Sequence, residues 1–248
     1  DSDPSRGLGD VYKRQCLISD LHLQENKPEL TNAFKKFLIS HAANVDSLFI
    51  LGDLFEAWIG DDFENDFILE VKSELKKYSS LGKKIYLMHG NRDFLLGKKF
   101  CEEIGGFLLD DPTTIKINNF EITLMHGDSL CTDDLDYQSF RTVVRDEKWQ
   151  IDFLEKEISE RIELAQNLRE VSKIENKDKD HQIMDVNIMA VNEIFQRFKN
   201  NILIHGHTHR PKIHKEKYGT RYVLGDWEKQ YYFLKIDESI EFINEKIE

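Results

Sequence analysis

Cysteine is scarce: Cys16, Cys101 and Cys131 are the only three in 248 residues, and no two lie close together in sequence. That scarcity excludes a disulfide framework and a thiolate zinc site, and it points to a reducing compartment. No apolar run approaches the ~18 residues that a membrane span needs. There is no secretory signal pattern, no internal repeat and no low-complexity linker. An excess of positive charge is also missing, since the net charge is -12 and the pI about 5.3. Without that excess, sequence-independent nucleic-acid binding is disfavoured, because such binding rests on Lys and Arg neutralising phosphates. What is present is ordinary for a globular domain: 40% hydrophobic and 32% charged residues, enough for a core. The length allows one large domain or two small ones.

Short apolar runs alternate with amphipathic stretches. "CLIS", "SLFIL", "KIYLM", "FEITLM" and "NILI" are predicted to be buried strands. Leu30, Phe34, Phe37 and Leu38 recur at helical spacing after Pro28, a residue suited to a first helical turn. Phe67, Val71 and Leu75 repeat the pattern, which ends near Gly82. The alternation predicts an α/β fold. Residues 133–200 hold no strand. Ile151, Leu154, Ile158, Ile162 and Ala165 form one predicted helical stripe, and Ile188, Val191, Phe195 and Phe198 another, with the polar "SKIENKDKDH" between them. "RYVLGDW" and "QYYFLKI" return to strand-like text. The economical organisation is a helical insertion within an α/β core.

Each predicted strand runs into polar residues. The first leads to Asp20 and His22, the second to Asp53, the third to Asn91, Arg92 and Asp93. The fourth leads to His126, and the fifth to His207 and His209. Ligand sites of α/β sheets gather outside the carboxyl ends of strands, so these loops are expected to share one crevice. Carboxylate, amide and imidazole donors without thiolate suit Mn²⁺, Fe or Zn²⁺. Seven such donors are too many for one tetrahedral ion. They suit two ions about 3.5–4 Å apart, which can orient a hydroxide and stabilise phosphoryl oxygens during in-line displacement. Taken singly, Asp-X-His is usually structural and Gly-Asp or Gly-Asn usually a turn. Gly-His-X-His is more specific. All five in order, each after an apolar run, exceed coincidence.

The motifs "DLH", "GD", "GNRD", "HGD" and "GHTH" resemble those of the calcineurin-like metallophosphoesterases, over nearly the whole chain after residue 15. The resemblance implies a two-sheet sandwich flanked by helices (α/β/β/α). It also implies that Asp20, His22, Asp53 and His209 hold one metal and Asp53, Asn91, His126 and His207 the other, with Asp53 bridging. Where many members carry His after Gly-Asn, this chain has Arg92. Arginine stays charged and forks onto phosphate oxygens, so it is a better charge stabiliser than proton donor.

Longer stretches, "GDLFEAWIGDD", "HGNRDFLLG", "MHGDSLCTDDLDYQSFR", "IMDVN" and "HGHTHRPKIH", resemble the UDP-2,3-diacylglucosamine hydrolase branch of lipid A synthesis. That resemblance implies cleavage of a pyrophosphate to UMP and 2,3-diacylglucosamine 1-phosphate, with two divalent ions, usually Mn²⁺. It implies a cytoplasmic enzyme, peripheral on the inner membrane of a Gram-negative bacterium, that takes a UDP-linked diacylated glucosamine and no nucleic acid. Substrate contacts would fall on Asn91, Arg92, Asp134, Tyr137, Arg169, Ser172, Asn176, Lys179 and His207, with Arg92 catalytic. The insertion, at about 133–181, would be a lid over the acyl chains. Its stretch "IDFLEKEISERIELAQNLREV" is more charged than such a lid is expected to be, and an apolar stripe there more often packs on a core. The alternatives are a general phosphodiesterase or phosphatase on the same scaffold, or a non-catalytic scaffold. The other histidines receive plainer expectations: His89 and His205 support the ligand loops, and His41 and His181 lie at the surface. His214 is a weak candidate for the rim of the site.

One segment stands apart. "SRGLGDVYKRQ", residues 5–15, resembles a translated sequencing-library adapter. Residues 1–15 are therefore expected to be non-native and 16–248 to form a single domain. "GLG" is not expected to bind phosphate.

Overall fold

A computed structural model describes residues 13–178 and 183–247, without the side chains of 171–178. Strands β1 (Gln15–Ile18), β2 (Ser47–Leu51), β3 (Lys84–Met88) and β4 (Phe107–Leu109) lie parallel. Helices α1 (Pro28–Ser40), α2 (Asp66–Ser80) and α3 (Lys98–Ile104) connect them. Two late strands, β10 (Gln230–Ile236) and β11 (Ile240–Lys246), complete this sheet in the order β11-β10-β1-β2-β3-β4. The second sheet contains β5 (Thr113–Ile117), β6 (Phe120–Leu124), β7 (Ile202–His205), β8 (Lys212–Lys215) and β9 (Thr220–Val223), in the order β5-β6-β7-β9-β8. Residues 133–200 hold helices α4 (Leu135–Val144), α5 (Glu147–Leu154), α6 (Ile158–Asp178) and α7 (Ile188–Phe198).

Period-two alternation builds the layers. On β1 and β2, Cys16, Ile18, Leu48 and Ile50 meet the helices, packing with Phe34, Phe37, Val71 and Leu75. Leu17, Phe49 and Leu51 point the other way, onto Ile122, Leu124, Ile202 and Ile204 of the second sheet. Leu203 faces outward again, onto Val191 and Phe195 of α7. Every strand of these central pairs is apolar on both faces, which is why it reads as a continuous apolar run. The result is the expected α/β/β/α sandwich.

Capping follows local chemistry. Pro28 begins α1 with no N–H to leave unpaired. The Asn65 and Asn187 side chains accept the N–H groups of Ile68 and of Met189 and Ala190, starting α2 and α7. One expectation needs correction. The stripe 151–165 is not continuous, because α5 ends at Leu154 and α6 begins at Ile158. The charged Glu155-Lys156-Glu157 occupies the break, Ile151 and Leu154 are exposed, and Trp149 and Phe153 turn inward instead.

Gln15 shares a face with Leu17 and pairs across β10 with Ile236, so it enters the layer between the sheets. Its side-chain Oε1 is buried without a hydrogen-bond partner among the described residues. An unpaired buried amide costs about 1–3 kcal/mol, so Gln15→Val is expected to raise the unfolding midpoint in urea. An unchanged or lower midpoint would show that the amide is satisfied.

Candidate metal centre and lid cavity

The carboxyl ends of β1, β2, β3, β6 and β7 meet at one edge of the sandwich. Asp20, His22, Asp53, His207 and His209 all adopt left-handed backbone conformations, with φ between 49° and 67°. Non-glycine residues avoid that region, at a cost of order 1–2 kcal/mol each. Strain gathered on the residues that share a crevice is the mark of a functional site. Tight turns keep it in place. Asp20 N–H donates to Gly52 O and His22 N–H to Asp53 O, locking the first two loops together. Gly90 must be glycine, because a Cβ there would lie 2.0 Å from Asp53 Oδ1.

All seven candidate ligands converge. Asp53 Oδ2 lies 3.8 Å from His22 Nε2 and 3.8 Å from His126 Nε2, between the two halves of the site. His209 Nε2 is 3.4 Å from Asp20 Oδ1 and 3.2 Å from His22 Nε2. Asn91 Oδ1 is 3.0 Å from His126 Nε2 and 2.9 Å from His207 Nδ1. Donor atoms of Asp20, His22 and His209 all lie within 4.8 Å of one another, as do those of Asp20, Asp53 and His126. His126 Nδ1 faces Leu51 O at 2.9 Å, which fixes the ring with Nε2 inward. Carboxylate, amide and imidazole donors without a thiolate, buried at Asp20, Asp53 and His126, fit divalent cations, and Asp53 is placed to be shared.

Asp20 is fully buried, which alone would raise its carboxyl. The hydrogen-bonded His209 and the nearby His126 and His22 instead hold it well below the usual range. Asp53 is raised by burial, only partly offset by His126 and His22. Burial opposes charge on His126, but Asp53, Asp128 and Asp20 lift it to about 9. Burial and the charge on His126 push His207 down to about 3.

A proton-linkage prediction follows from His126. Without metal the ring is charged at pH 7, and a cation at Nε2 must displace that proton. Calorimetry of metal binding at pH 7, in buffers of different ionisation heat, is expected to show proton release; buffer-independent heats would contradict it. In the metal-free protein the raised His126 contributes stability that is complete below 6.5 and lost as pH rises through about 9. The unfolding midpoint with chelator present is therefore expected to fall over that window.

Several residues without an assigned role hold the ligands in place. Asp93, buried, accepts N–H bonds from Gly90 at 2.8 Å, Leu54 at 2.8 Å and Asp53 at 3.2 Å, joining the second and third loops. Asp128, also buried, accepts from Tyr137 Oη at 2.8 Å and Arg141 Nε at 2.7 Å. The Tyr137 ring in turn stacks on His207. Glu56 Oε2 lies 2.7 Å from His22 Nδ1, and its other oxygen receives Arg169. His22 is the main cause that brings the Glu56 carboxyl down to about 2 against the effect of burial. The sequence contains all three acids inside its quoted motifs, but nothing in their spacing singles them out.

A cavity of about 560 Å³ opens from this cluster. Its near end holds His22, Asp53, Asn91, Arg92, His207 and His209, and its far wall is apolar: Trp58, Phe94, Phe140, Trp149, Phe153 and Leu168. Asp134, Tyr137 and Arg169 also line it. Asp134 additionally caps α4, accepting from Tyr137 N–H at 3.1 Å. The Arg92 N–H donates to Asp53 Oδ1 at 2.8 Å while its side chain lines the cavity. The helices are tied to the loops that follow β2 and β3: Arg145 donates to Gly90 O at 2.8 Å, and the buried Arg161 donates to Ile59 O at 2.8 Å and to Asp62. The side chains of Ser172 and Asn176, and all of Lys179 and His181, lie outside the described residues. His89 holds its loop through Leu96 O at 2.6 Å, and His205 is buried against Gly206 O. His41 is half-buried at the end of α1: its ring packs on Phe37, Tyr231 and Phe233 while Nε2 lies 3.3 Å from the exposed Glu245. His214 lies on β8, in the second sheet.

Comparison with known proteins gives the chain its family. The profile of the calcineurin-like phosphoesterases matches residues 14–211. A UDP-2,3-diacylglucosamine hydrolase of Haemophilus influenzae (strain PittGG) is 46% identical over 231 residues, covering 93% of this chain and 98% of that protein. One from Pseudomonas syringae pv. tomato is 43% identical over 241 residues, covering 93% and 97%. The solved structure of Vacuolar Protein Sorting 29 from Cryptosporidium parvum superposes with a TM-score of 0.50 at 14% identity, covering 96% of this chain and 100% of that one. That last likeness concerns the fold alone.

Proposed function

Since the chain belongs to the calcineurin-like phosphoesterases and, within them, to the UDP-2,3-diacylglucosamine hydrolases, we propose that it hydrolyses the pyrophosphate of UDP-2,3-diacylglucosamine to UMP and 2,3-diacylglucosamine 1-phosphate. The observation that carries this reading is the cavity. It joins a cluster of buried carboxylates and imidazoles to an apolar chamber under helices. A diphosphate bearing acyl chains on one side has that same division between charge and grease.

In this reading Asp20, His22, Asp53 and His209 hold one divalent ion and Asp53, Asn91, His126 and His207 the other, both Mn²⁺ in the native enzyme. Such a pair lowers the pKa of water and neutralises phosphoryl charge. The protein's own groups do the rest. Arg92, at the near end of the cavity, forks onto the diphosphate and stabilises the charge added at the α-phosphorus. Asn91, Asp134, Tyr137, Arg169 and His207 orient the sugar and phosphate, joined by Ser172, Asn176 and Lys179. Trp149, Phe153 and Leu168 exclude water and take the acyl chains.

Exposed apolar side chains lie on the lid, Leu135 and Val143 on α4, and on the following helix, Met189 on α7. They support a peripheral seat on the cytoplasmic face of the inner membrane, where an acyl-bearing substrate resides. No helix among the described residues is long and apolar enough to cross a membrane.

The test is a choice of substrates. Protein loaded with Mn²⁺ is offered UDP-2,3-diacylglucosamine, a cyclic nucleotide and a phosphopeptide at equal concentration. The UDP-lipid is expected to be preferred by at least two orders of magnitude in kcat/KM, on the order of 3 kcal/mol of differential transition-state binding. Preference for either other substrate would make the chain a general phosphodiesterase or a phosphatase.

A further inference from the structure

Glu56 touches two systems at once. It follows Asp53 by three residues, in the loop after β2. One carboxylate oxygen lies 2.7 Å from His22 Nδ1, and the other receives the guanidinium of Arg169, 113 residues away on α6. His22 Nε2 points to the opposite side, toward Asp53 and His209. A carboxylate on the outer nitrogen of a ligand histidine fixes the tautomer and aims the inner lone pair at the metal. Arg169, meanwhile, lines the cavity beside Leu168.

A second contact between the same helix and the same loop provides a contrast. Arg161 sits two turns earlier on α6, is buried, and holds Ile59 O and Asp62. It docks the helix on the loop without touching any candidate ligand. The first link therefore does something the second does not: it runs from the helix to a ligand side chain through one carboxylate.

We infer that Glu56 is a positioning residue that couples the lid helix to the metal centre, orienting His22 with one oxygen while it anchors Arg169 with the other. The inference rests on reading the cluster as a metal centre. Loss of Glu56 then disturbs metal affinity and lid order together, whereas loss of either arginine disturbs the lid and leaves metal affinity intact.

The experiment compares Glu56→Ala, Glu56→Gln, Arg169→Ala and Arg161→Ala in the full chain. Two readouts need no substrate: the affinity for Mn²⁺, and amide hydrogen exchange along residues 158–170. Glu56→Ala is expected to weaken Mn²⁺ binding about 10–100-fold and to speed exchange in α6. Glu56→Gln keeps a neutral acceptor for His22 Nδ1–H and is expected to recover most of the metal affinity, while exchange in α6 stays fast. Both arginine variants are expected to speed exchange with Mn²⁺ affinity within about twofold of the parent, which is under roughly 0.5 kcal/mol. With the UDP-lipid as substrate, the arginine variants raise KM and leave the metal requirement unchanged, while Glu56→Ala moves both. Parental metal affinity in Glu56→Ala, or parental exchange in α6 of that variant, overturns the coupling. The substrate-free arms decide it even if the UDP-lipid proves not to be the substrate, so the two failures are read separately.

Discussion

Asp53→Asn is expected to abolish hydrolysis, lowering kcat/KM by at least about three orders of magnitude, while the fold survives. The carboxylate lies 3.8 Å from the inner nitrogens of His22 and His126, so it is placed where both halves of the proposed centre can share it. Removing a preorganised charge from a dry site costs several kcal/mol of transition-state stabilisation, and each 1.36 kcal/mol is tenfold in rate. Stability has the opposite arithmetic. Burial raises the Asp53 carboxyl, so its ionised form is a burden on the metal-free protein. Asparagine also tolerates the left-handed backbone at φ 52°, where alanine would be strained. The unfolding midpoint without metal is therefore expected to be unchanged or higher. A variant retaining more than a tenth of parental activity would rule out Asp53 as the shared ligand. Midpoint and rate falling together would mean that the residue mainly supports the fold.

Asp93→Ala is expected to be the most destabilising single change in the site, by about 2–5 kcal/mol. The side chain is 1% exposed and accepts the N–H groups of Gly90, Leu54 and Asp53. Alanine leaves those donors buried without partners. Both loops then relax, so Asp53 and Asn91 lose position and activity falls as well. Asp93→Asn keeps one strong acceptor oxygen and is expected to fall in between. Urea unfolding followed by circular dichroism measures the effect; a loss below about 1 kcal/mol would mean that water replaces the carboxylate.

These two residues also show what could be read from sequence. Asp53 was legible because it follows an apolar run, and the carboxyl ends of parallel strands are where such residues meet. The same reasoning brought together Asp20, His22, Asn91, His126, His207 and His209. Asp93 stands at the same strand end, but its sequence gives it no role, because that role is to accept backbone N–H groups from a loop 40 residues away. Glu56, Asp128 and Arg161 were invisible for the same reason: each acts on a partner that spacing does not reveal. The left-handed conformations of five candidate ligands leave no trace in composition at all.

The fold divides in a similar way. The central strands were legible because both faces are buried, giving runs such as "SLFIL". Edge strands β5, β8 and β11 were not, since one face meets water and polar residues interrupt them, as in "KIHK". The break between α5 and α6 was hidden because Ile151, Leu154 and Ile158 keep helical spacing across it. Apolar spacing reports where a helix can pack, and the interrupted helix packs Trp149 and Phe153 instead.

The most direct measurement is UMP release from UDP-2,3-diacylglucosamine as Mn²⁺ is titrated into chelator-stripped protein. No release is expected without metal, then a rise that saturates at two equivalents per chain, with 2,3-diacylglucosamine 1-phosphate appearing in equal amount. UMP release undiminished in the stripped protein, or none at any Mn²⁺ concentration with the fold intact, would contradict that expectation.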